Sequence, residues 1–511
     1  MLSWAIFLPT LGAALVMAVP RERAALLRWL ALLASLATLA VVVRLFLAFD
    51  PGSAQMQFVE RRAWVPALGI AYLVGVDGIS LLLVCLTAII FPVALLSSWG
   101  PIQEKVKEFT VAMLILETAT LGTFLSLDLV LFYVFWEAVL IPMYFLIGIW
   151  GGSNRTYAAV KFILYTMAAS VLMLVAIVAL YLAAAPPGSR TFDLLALQEA
   201  AIPLGLARWL FAAFTLAFAV KVPVWPLHTW LPDAHVEAPT AGSVILAAIL
   251  LKLGTYGFLR FSLGLFPEAA AAAAPLMLAL ALVGIVYGGA VSWAQPDLKR
   301  LVAFSSVSHL GFVTLGIFAF TTEALQGALL QMVNHGISTG GLFLIVGVLY
   351  DRLHSRQMAD YGGVAALMPR FAAIFVLVLL SSAALPATNG FVGEFLILLG
   401  VFRRSPAAAA VAVSGVILSV IYLLWAYQKV MQGPLVARGQ DRLVDVGARE
   451  TLLFVPLILL IFWIGIYPSP LLRRSEASVR AAVDRIEKRM TATVGQSRSE
   501  AGGVESSGDA P

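Results

Sequence analysis

The chain has 511 residues, of which 61% are hydrophobic and only 12% are charged, and its mean hydropathy is +0.96. This composition excludes a soluble globular protein, because filling the core of such a protein takes a far smaller fraction of apolar residues. It predicts a membrane protein that crosses the bilayer many times. The net charge of +5 is spread over loops and indicates membrane topology rather than a nucleic-acid surface. The single cysteine, Cys85, excludes a disulfide framework and a cysteine-ligated iron-sulfur cluster.

Apolar stretches follow one another along the chain, separated by charged residues, glycine or proline. Each holds roughly 20 residues, enough to cross about 30 Å of hydrocarbon as a helix. About fourteen such spans are predicted, which defines an all-α polytopic fold. They lie near residues 2–19, 26–48, 74–98, 109–126, 129–149, 158–184, 209–231, 240–262, 273–294, 301–320, 324–349, 372–401, 407–431 and 451–471.

The basic residues predict the orientation. With the N-terminus outside, the loops assigned to the inside carry about twice as many Lys and Arg residues as the outside loops, as the positive-inside rule requires. The hydrophilic tail from residue 473 is also basic and would lie outside, but a terminal segment weighs less in this rule than short loops.

Two spans combine a buried charge with helix-breaking residues. Lys221 is followed by Pro223 and Pro226, and Glu394 follows Pro386 and Gly390. Proline breaks a helix, and an opened helix inside a membrane marks an ion path. Each broken span is the fourth of five, so we predict two inverted five-helix repeats, residues 109–262 and 273–431. Residues 1–108 form three preceding helices, 451–471 form the last span, and 473–511 form the tail.

Seven ionisable residues lie near the middle of seven different spans, as judged from a rise of about 1.5 Å per residue. An ionisable group at this depth is functional by default, and a row at one depth suggests a proton path in the membrane plane. Snorkelling of the lysines and hydrogen bonding between helices are the alternative interpretations, and for one member, Glu117, packing and relay are equally supported. The seven are Glu117, Glu137, Lys221, Lys252, His309, His335 and Glu394.

Four polar residues follow the first broken span: His228, Asp233, His235 and Glu237. Their types match a metal-binding set. The prolines around them and their position at the membrane edge favour a loop cap or a site of proton uptake over a metal.

Several motifs are similar to those of one known family. They are Asp128 to Glu137 (DLVLFYVFWE) with Pro142-Met143-Tyr144, His228 to Val244, Leu250 to Gly257, Lys299 to Gly311, Asn334-His335-Gly336, and Leu385 to Glu394. The chain thereby resembles the subunit M family of proton-translocating NADH-quinone oxidoreductase, respiratory complex I. The resemblance covers nearly all of the membrane region but not the tail.

The resemblance implies that Glu137, Lys221, Lys252 and Glu394 are essential on the proton path and that His309 and His335 relay protons between the halves. We interpret Glu137 as the modulator of Lys221, and Glu394 as the site that exchanges protons with the outside. Flavin mononucleotide, iron-sulfur clusters and quinone are expected on partner subunits, with no redox or nucleotide site on this chain. The partners would be the other membrane subunits, the peripheral redox arm and lipid, in a bacterial inner membrane, with no nucleic acid.

Two other functions remain open: a subunit of a multi-chain cation/proton antiporter or membrane-bound hydrogenase, and a structural scaffold without transport.

In the tail, Val479, Ala482, Val483, Ile486 and Met490 recur at helical spacing among basic residues. This pattern predicts an amphipathic helix on the membrane or on a neighbouring subunit, followed by a disordered Ser/Gly-rich end, while a fully solvated tail is the alternative.

Overall fold

The computed structural model describes the backbone of residues 1–435 and 440–505, and the side chains of residues 1–435 and 441–489. Within this part of the chain, 12 helical segments are long and apolar enough to cross a membrane. Two shorter apolar helices, Leu2–Ala18 and Pro369–Ser382, lie where further spans were predicted. The polytopic helical fold is therefore confirmed, whereas the total of about fourteen spans stays a prediction.

The helices follow one another with short connections. The first part contains α1 (Leu2–Ala18), α2 (Ala24–Ala48) and α3 (Gly78–Ser97). Next come α4 (Val106–Leu125), α5 (Leu129–Ala138), α6 (Leu140–Trp150), α7 (Arg155–Ala184), α8 (Leu194–Leu197), α9 (Leu204–Lys221), α10 (Trp230–Glu237), α11 (Thr240–Ile245), α12 (Lys252–Gly257) and α13 (Leu263–Leu265). The remainder is α14 (Pro267–Trp293), α15 (Leu298–Phe318), α16 (Thr322–Leu353), α17 (Val364–Leu367), α18 (Pro369–Ser382), α19 (Asn389–Arg404), α20 (Pro406–Met431), α21 (Ala448–Ile466) and α22 (Ser469–Glu505).

A β-hairpin interrupts the helices between α2 and α3. Strands β1 (Gln57–Val65) and β2 (Ile70–Val76) pair antiparallel, with Arg61 opposite Leu73. Gly69 closes the turn with a φ of 70°, a left-handed conformation that glycine adopts without strain. This hairpin was not predicted from the sequence; it lies at the end of the bundle that holds the start of α1, where the Met1 amino group pairs with Glu60. We call this end the outer end, after the predicted orientation.

Both predicted helix breaks are present. The helix α9 ends at Lys221 and α10 begins at Trp230, while α18 ends at Ser382 and α19 begins at Asn389. Lys221 is therefore the last residue of its helix, and Glu394 lies in the second turn of α19. The breaks place backbone groups that have no helical partner beside the two charges.

Three spans form the centre of the bundle. The apolar windows of 240–265, 298–318 and 322–353 are 100% buried, whereas those of α7, α14 and α20 are at most 39% buried. Neighbouring helices pack closely here: a Cβ at Gly288 of α14 would lie 2.6 Å from the Ser308 nitrogen of α15. Peripheral helices face lipid, and the central three can carry polar groups away from it.

The tail forms the helix α22, which runs along the outer end of the bundle. Val479, Val483 and Ile486 are at most 4% exposed, and α22 packs against α3, α14 and α16. The amphipathic helix is thus confirmed, but its apolar face covers the chain's own helices rather than membrane or a neighbouring subunit, so that part of the prediction was wrong. The helix continues to Glu505, further than expected. The side chain of Met490 and residues 506–511, part of the predicted Ser/Gly-rich end, lie outside the described residues.

The start of α3 shows why α22 lies so close. A Cβ on Gly78 would lie only 2.1 Å from the Arg474 carbonyl oxygen, so glycine is required at this contact. The Gly78 N–H donates a hydrogen bond of 3.0 Å to Ser478 Oγ. Packing and hydrogen bonding together therefore hold α22 on the bundle.

Candidate functional site: a buried row of ionisable residues

Six of the seven predicted residues are buried within the chain. Glu117 and Lys252 are 0% exposed, Lys221 1%, Glu394 2%, and His309 and His335 3%. Glu137 differs, because it is only half-buried on α5. Burial of so many ionisable groups is costly in a membrane unless they interact with one another or have a function.

The lysine Lys252 sits beside an irregular helix. Residues Leu246–Leu250 and Phe258–Ser262 form π-helical turns on either side of α12. Such turns release carbonyl groups from the regular ladder and are frequent at functional sites. Lys252 Nζ donates to the Ala247 carbonyl oxygen at 2.6 Å and lies 2.7 Å from His335 Nδ1. The π-helical turns were not predicted, since no simple sequence pattern encodes them.

Contacts continue from His335 to the second broken helix. The rings of His335 and His309 lie 5.9 Å apart, and His309 Nδ1 lies 3.0 Å from Glu394 Oε1. The four residues come from the 240–265 span, α16, α15 and α19. The structure thus brings Lys252, His335, His309 and Glu394 into one line at the centre of the bundle.

Uncharged polar residues surround this line. They were not predicted from the sequence, because the prediction rested on ionisable groups alone. Gln331 Nε2 donates to Glu394 Oε1 at 3.0 Å, and Asn334 Nδ2 donates to the Asn389 carbonyl oxygen at 2.7 Å. A small cavity beside His309 and His335 gives the centre of a water molecule about 10 Å³, close to the minimum for one water. Amides and hydroxyls at helical spacing on buried faces could have revealed this lining.

Lys221 is less directly connected than predicted. Its Nζ has no hydrogen-bond partner among the described residues and lies 5.1 Å from the centre of the Trp136 ring and 5.9 Å from that of Phe162. Glu137 is near enough for an electrostatic interaction, but no ion pair within 4.0 Å joins the two in the described part of the chain. Tyr133 and Ser170 lie next to the Glu137 carboxyl group. The expected interaction between Glu137 and Lys221 is therefore electrostatic and acts at a distance, without direct contact.

Glu117 lies apart from the other six. Its Oε1 accepts a hydrogen bond of 2.9 Å from Ser35 Oγ of α2, and no hydrogen bond or ion pair among the described residues joins it to the line. This geometry matches the packing interpretation of Glu117 as well as a relay. Glu117 is therefore not part of the line from Lys252 to Glu394.

The polar residues after the first break lie at the inner end. Asp233 binds Lys161 at 2.7 Å, and backbone N–H groups of Gly152 and Asn154 donate to the carbonyl oxygen and to Oε2 of Glu237. His235 is 0% exposed and stacks on Phe343 with ring centres 4.5 Å apart. No group of three or more His, Cys, Asp or Glu among the described residues is arranged to hold a metal ion.

Comparisons with known proteins agree with this architecture. Residues 126–421, more than half of the chain, match the family described as NADH:quinone oxidoreductase/Mrp antiporter, transmembrane. The NADH-quinone oxidoreductase subunit M of Rhodobacter capsulatus is 48% identical over 483 residues, which cover 92% of this chain and 93% of that protein. The chain belongs to this family of antiporter-like membrane subunits.

Two solved structures extend the comparison. A chain of respiratory complex I from Thermus thermophilus is 33% identical, with a TM-score of 0.86 over 95% of this chain and 100% of that chain. A chain of the Mrp complex from Dietzia sp. has a TM-score of 0.84 over 96% of this chain and 99% of that chain, but it is only 20% identical and shows the fold alone. Within the family, the relatives of higher identity are thus subunits of NADH-quinone oxidoreductase.

Proposed function

We propose that this chain translocates protons as a membrane subunit of a respiratory NADH-quinone oxidoreductase, and that the line from Lys252 through His335 and His309 to Glu394 carries them. Hydrogen bonds of 2.7 Å at one end and 3.0 Å at the other are the observation that carries this proposal. The relatives of high identity have the corresponding name. We further propose that the chain holds no redox or nucleotide site, so that flavin, iron-sulfur clusters and quinone belong to partner subunits.

Each close pair can hold a proton in two ways. Lys252 can donate to a neutral His335 Nδ1, or a protonated His335 can donate to a neutral Lys252, but two adjacent positive charges would repel strongly in a medium of low dielectric constant. His309 can likewise form an ion pair with Glu394 or share a proton with the neutral acid. The arrival of a proton at one pair therefore favours the onward transfer of the proton held by the next pair.

The gap between the two histidines is the remaining step. With ring centres 5.9 Å apart, the two histidines make no direct hydrogen bond in the observed arrangement, but one water in the adjacent cavity would bridge them. Asn334 and Ser338 line that cavity and supply the polar groups that such a water needs. We propose this hydrated step as the connection between the two halves.

Lys221 and Glu137 are the pair that controls the path. Since no described residue forms a hydrogen bond with it, the Lys221 ammonium group depends on the cation–π contact with Trp136 and on the Glu137 charge for stabilisation. A change in the protonation of Glu137 therefore shifts the proton affinity of Lys221. Since Glu137 is half-buried, a neighbouring membrane subunit of the complex can act on it.

The two ends of the path open to opposite sides. We propose proton uptake at the inner end near His235 and Lys299, where Lys299 Nζ donates to the Ala238 carbonyl oxygen at 2.5 Å. Glu394, next to the second break, would exchange protons with the outer side. The order of helices from α4 to α13 and from α14 to α20, each with a broken fourth span, supports two inverted repeats, residues 109–262 and 273–431. A bacterial inner membrane is the proposed location.

The alternatives make different predictions. An antiporter subunit shares the fold, as the Mrp likeness indicates, but it would work without a redox arm. A scaffold would tolerate neutral replacements of the buried charges. Copurification with flavin- and iron-sulfur-containing subunits separates the first alternative from the proposal.

The experiment measures protons translocated per quinone reduced in vesicles that contain the assembled complex. Lys221→Ala and Glu394→Ala should abolish most of the translocation through this subunit, while Glu394→Lys keeps an ionisable group and should retain part of it. Matched controls are Lys429→Ala and Glu268→Ala, which remove charges near helix ends. Unchanged translocation in both Lys221→Ala and Glu394→Ala, with normal assembly, would refute the proposed path.

A further inference from the structure

An apolar groove runs along the outer half of the bundle, away from the buried row. It has a volume of about 200 Å³ and is lined by residues of α2, α3, α16, α21 and the start of α22, among them Val43, Phe46, Cys85, Ile337 and Trp463. Its wall is almost entirely apolar. Val43 is 47% exposed and Trp463 41%, so the groove opens towards the lipid rather than into the protein.

A cation lies beside this groove, against its lining residue Phe46. The Arg474 guanidinium group lies 4.0 Å from the centre of the Phe46 ring. Its Nε donates to the Phe46 carbonyl oxygen at 3.3 Å and its Nη1 to the Pro470 carbonyl oxygen at 3.0 Å. Arg474 is held in place by these contacts.

Among the described residues, no carboxylate balances the charge of Arg474. No carboxylate of the described residues lies within 4.0 Å of its guanidinium, and its Nη2 makes no hydrogen bond there. Arginine presents five N–H donors in a fork that matches phosphate oxygens. An ordered arginine with free donors beside an apolar groove has the two parts of a phospholipid site, one for the headgroup and one for an acyl chain.

The level of the groove in the membrane agrees with such a ligand. On α2 the lining runs from Leu39 to Phe46, which at about 1.5 Å per residue is roughly 10 Å and ends near the last residue of the helix. Trp463 and Tyr467, 41% and 56% exposed, lie at the end of α21 and mark the outer membrane interface, where aromatic residues concentrate. The groove therefore lies at the depth of acyl chains, and Arg474 at the depth of phosphates.

We propose that this groove binds one acyl chain of a phospholipid with net negative charge, whose phosphate binds Arg474. The headgroup of a zwitterionic lipid carries its own cation, so such a lipid would gain less binding free energy from an unbalanced arginine. The site therefore selects lipids by the net charge of the headgroup. The bound lipid fills the space between α2 and α21 and joins the tail helix α22 to the bilayer. This role is independent of the proton path.

The test uses the intact complex and phospholipids that carry a photoreactive diazirine in the acyl chain, with either a phosphatidylglycerol or a phosphatidylcholine headgroup. Peptide mapping after illumination shows which helices are labelled. We expect phosphatidylglycerol to label α2, α3 and α21 at the groove several-fold more than phosphatidylcholine does, with competition by unlabelled phosphatidylglycerol. Equal labelling by the two lipids, or labelling spread evenly over lipid-facing helices such as α7, would overturn the proposal.

Matched variants locate the site. Val43→Trp fills the groove and should remove the specific labelling, whereas Leu47→Trp, on the same helix, 72% exposed and outside the groove, should not. Arg474→Gln should reduce phosphatidylglycerol labelling to the phosphatidylcholine level, and Arg44→Gln should leave it unchanged. If Val43→Trp or Arg474→Gln labels like the parent chain, the groove is not the site.

Discussion

Lys252 Nζ lies 2.7 Å from His335 Nδ1, and both side chains are at least 97% shielded from solvent in the centre of the bundle. No carboxylate of the described residues lies within 4.0 Å of Lys252, so the histidine and the Ala247 carbonyl oxygen are its hydrogen-bond partners there. A close contact between two bases, rather than an ion pair with a carboxylate, is therefore found at this point of the row.

The first prediction concerns this pair. Lys252→Met keeps the length of the side chain but removes the donor, and it should strongly reduce translocation while the complex still assembles. Because the two residues act as a unit, the double variant Lys252→Met/His335→Ala should be about as defective as either single variant. Proton translocation per quinone reduced measures this, and losses that multiply in the double variant would contradict a shared role.

The second prediction concerns Glu137. Glu137→Gln removes the charge that stabilises the Lys221 ammonium, so the proton affinity of Lys221 should fall and pumping should stall. Glu137→Asp retains the charge with less reach and should keep part of the activity. Quinone reductase activity and proton translocation are measured in membranes with equal amounts of assembled complex. Normal values for Glu137→Gln would exclude the modulating role.

The third prediction concerns α22. Val479→Asp places a charge where the side chain is 1% exposed, and should lower the amount of assembled complex, since an unpaired buried charge costs several kcal/mol. Arg480→Asp, the neighbouring control, alters a side chain that is 64% exposed and an i,i+4 ion pair with Glu476, worth about 0.3–0.5 kcal/mol. Native gel electrophoresis compares the two, and equal yields would argue against the packing role.

Removal of residues 475–511 tests the same helix more broadly. It should weaken assembly without changing translocation per quinone reduced in the complexes that do form. A truncated chain that assembles like the full chain would show that the packing of α22 contributes little to stability.

The fourth prediction is a pH dependence at the inner end. Burial alone would raise the pKa of Asp445, but hydrogen bonds from the N–H groups of Arg370, Val446 and Phe371 and the charge of Arg370 outweigh it and hold this pKa below its usual value. The carboxylate thus caps the first turn of α18. Its stabilising effect is fully present above the unfolded pKa of about 3.9 and is lost as the pH falls through the lower folded value.

Asp445→Ala should therefore destabilise the chain at pH 7 by about 1 kcal/mol, as the loss of other helix caps does. The difference from the parent chain should shrink at acidic pH. The half-life of thermal inactivation of the complex, measured at pH 7 and at about pH 2, well below the unfolded pKa, checks this, with Asp441→Ala as an exposed control. A difference that is the same at both pH values would exclude the charged cap.

The sequence determined the class of protein and its ionisable residues. In lipid, the backbone N–H and C=O groups of long apolar stretches find hydrogen-bond partners within a helix. Composition alone therefore predicts a polytopic helical protein. Lysine and glutamate within those stretches stand out because they are so rarely placed there. Prolines next to Lys221 and before Glu394 likewise marked both breaks, since proline acts on its own helix and needs no tertiary context.

The tertiary structure decided which of these residues meet. Residues 83 positions apart, Lys252 and His335, are in contact, while Lys221 and Glu137 are not, because side-chain contact depends on how helices rotate and pack. The π-helical turns beside Lys252, the β-hairpin and the position of α22 likewise depend on neighbours distant in sequence. The local sequence pattern determines how deep a residue lies in the membrane. Only the packing of the helices determines which neighbouring helix its side chain faces, and thus its partner.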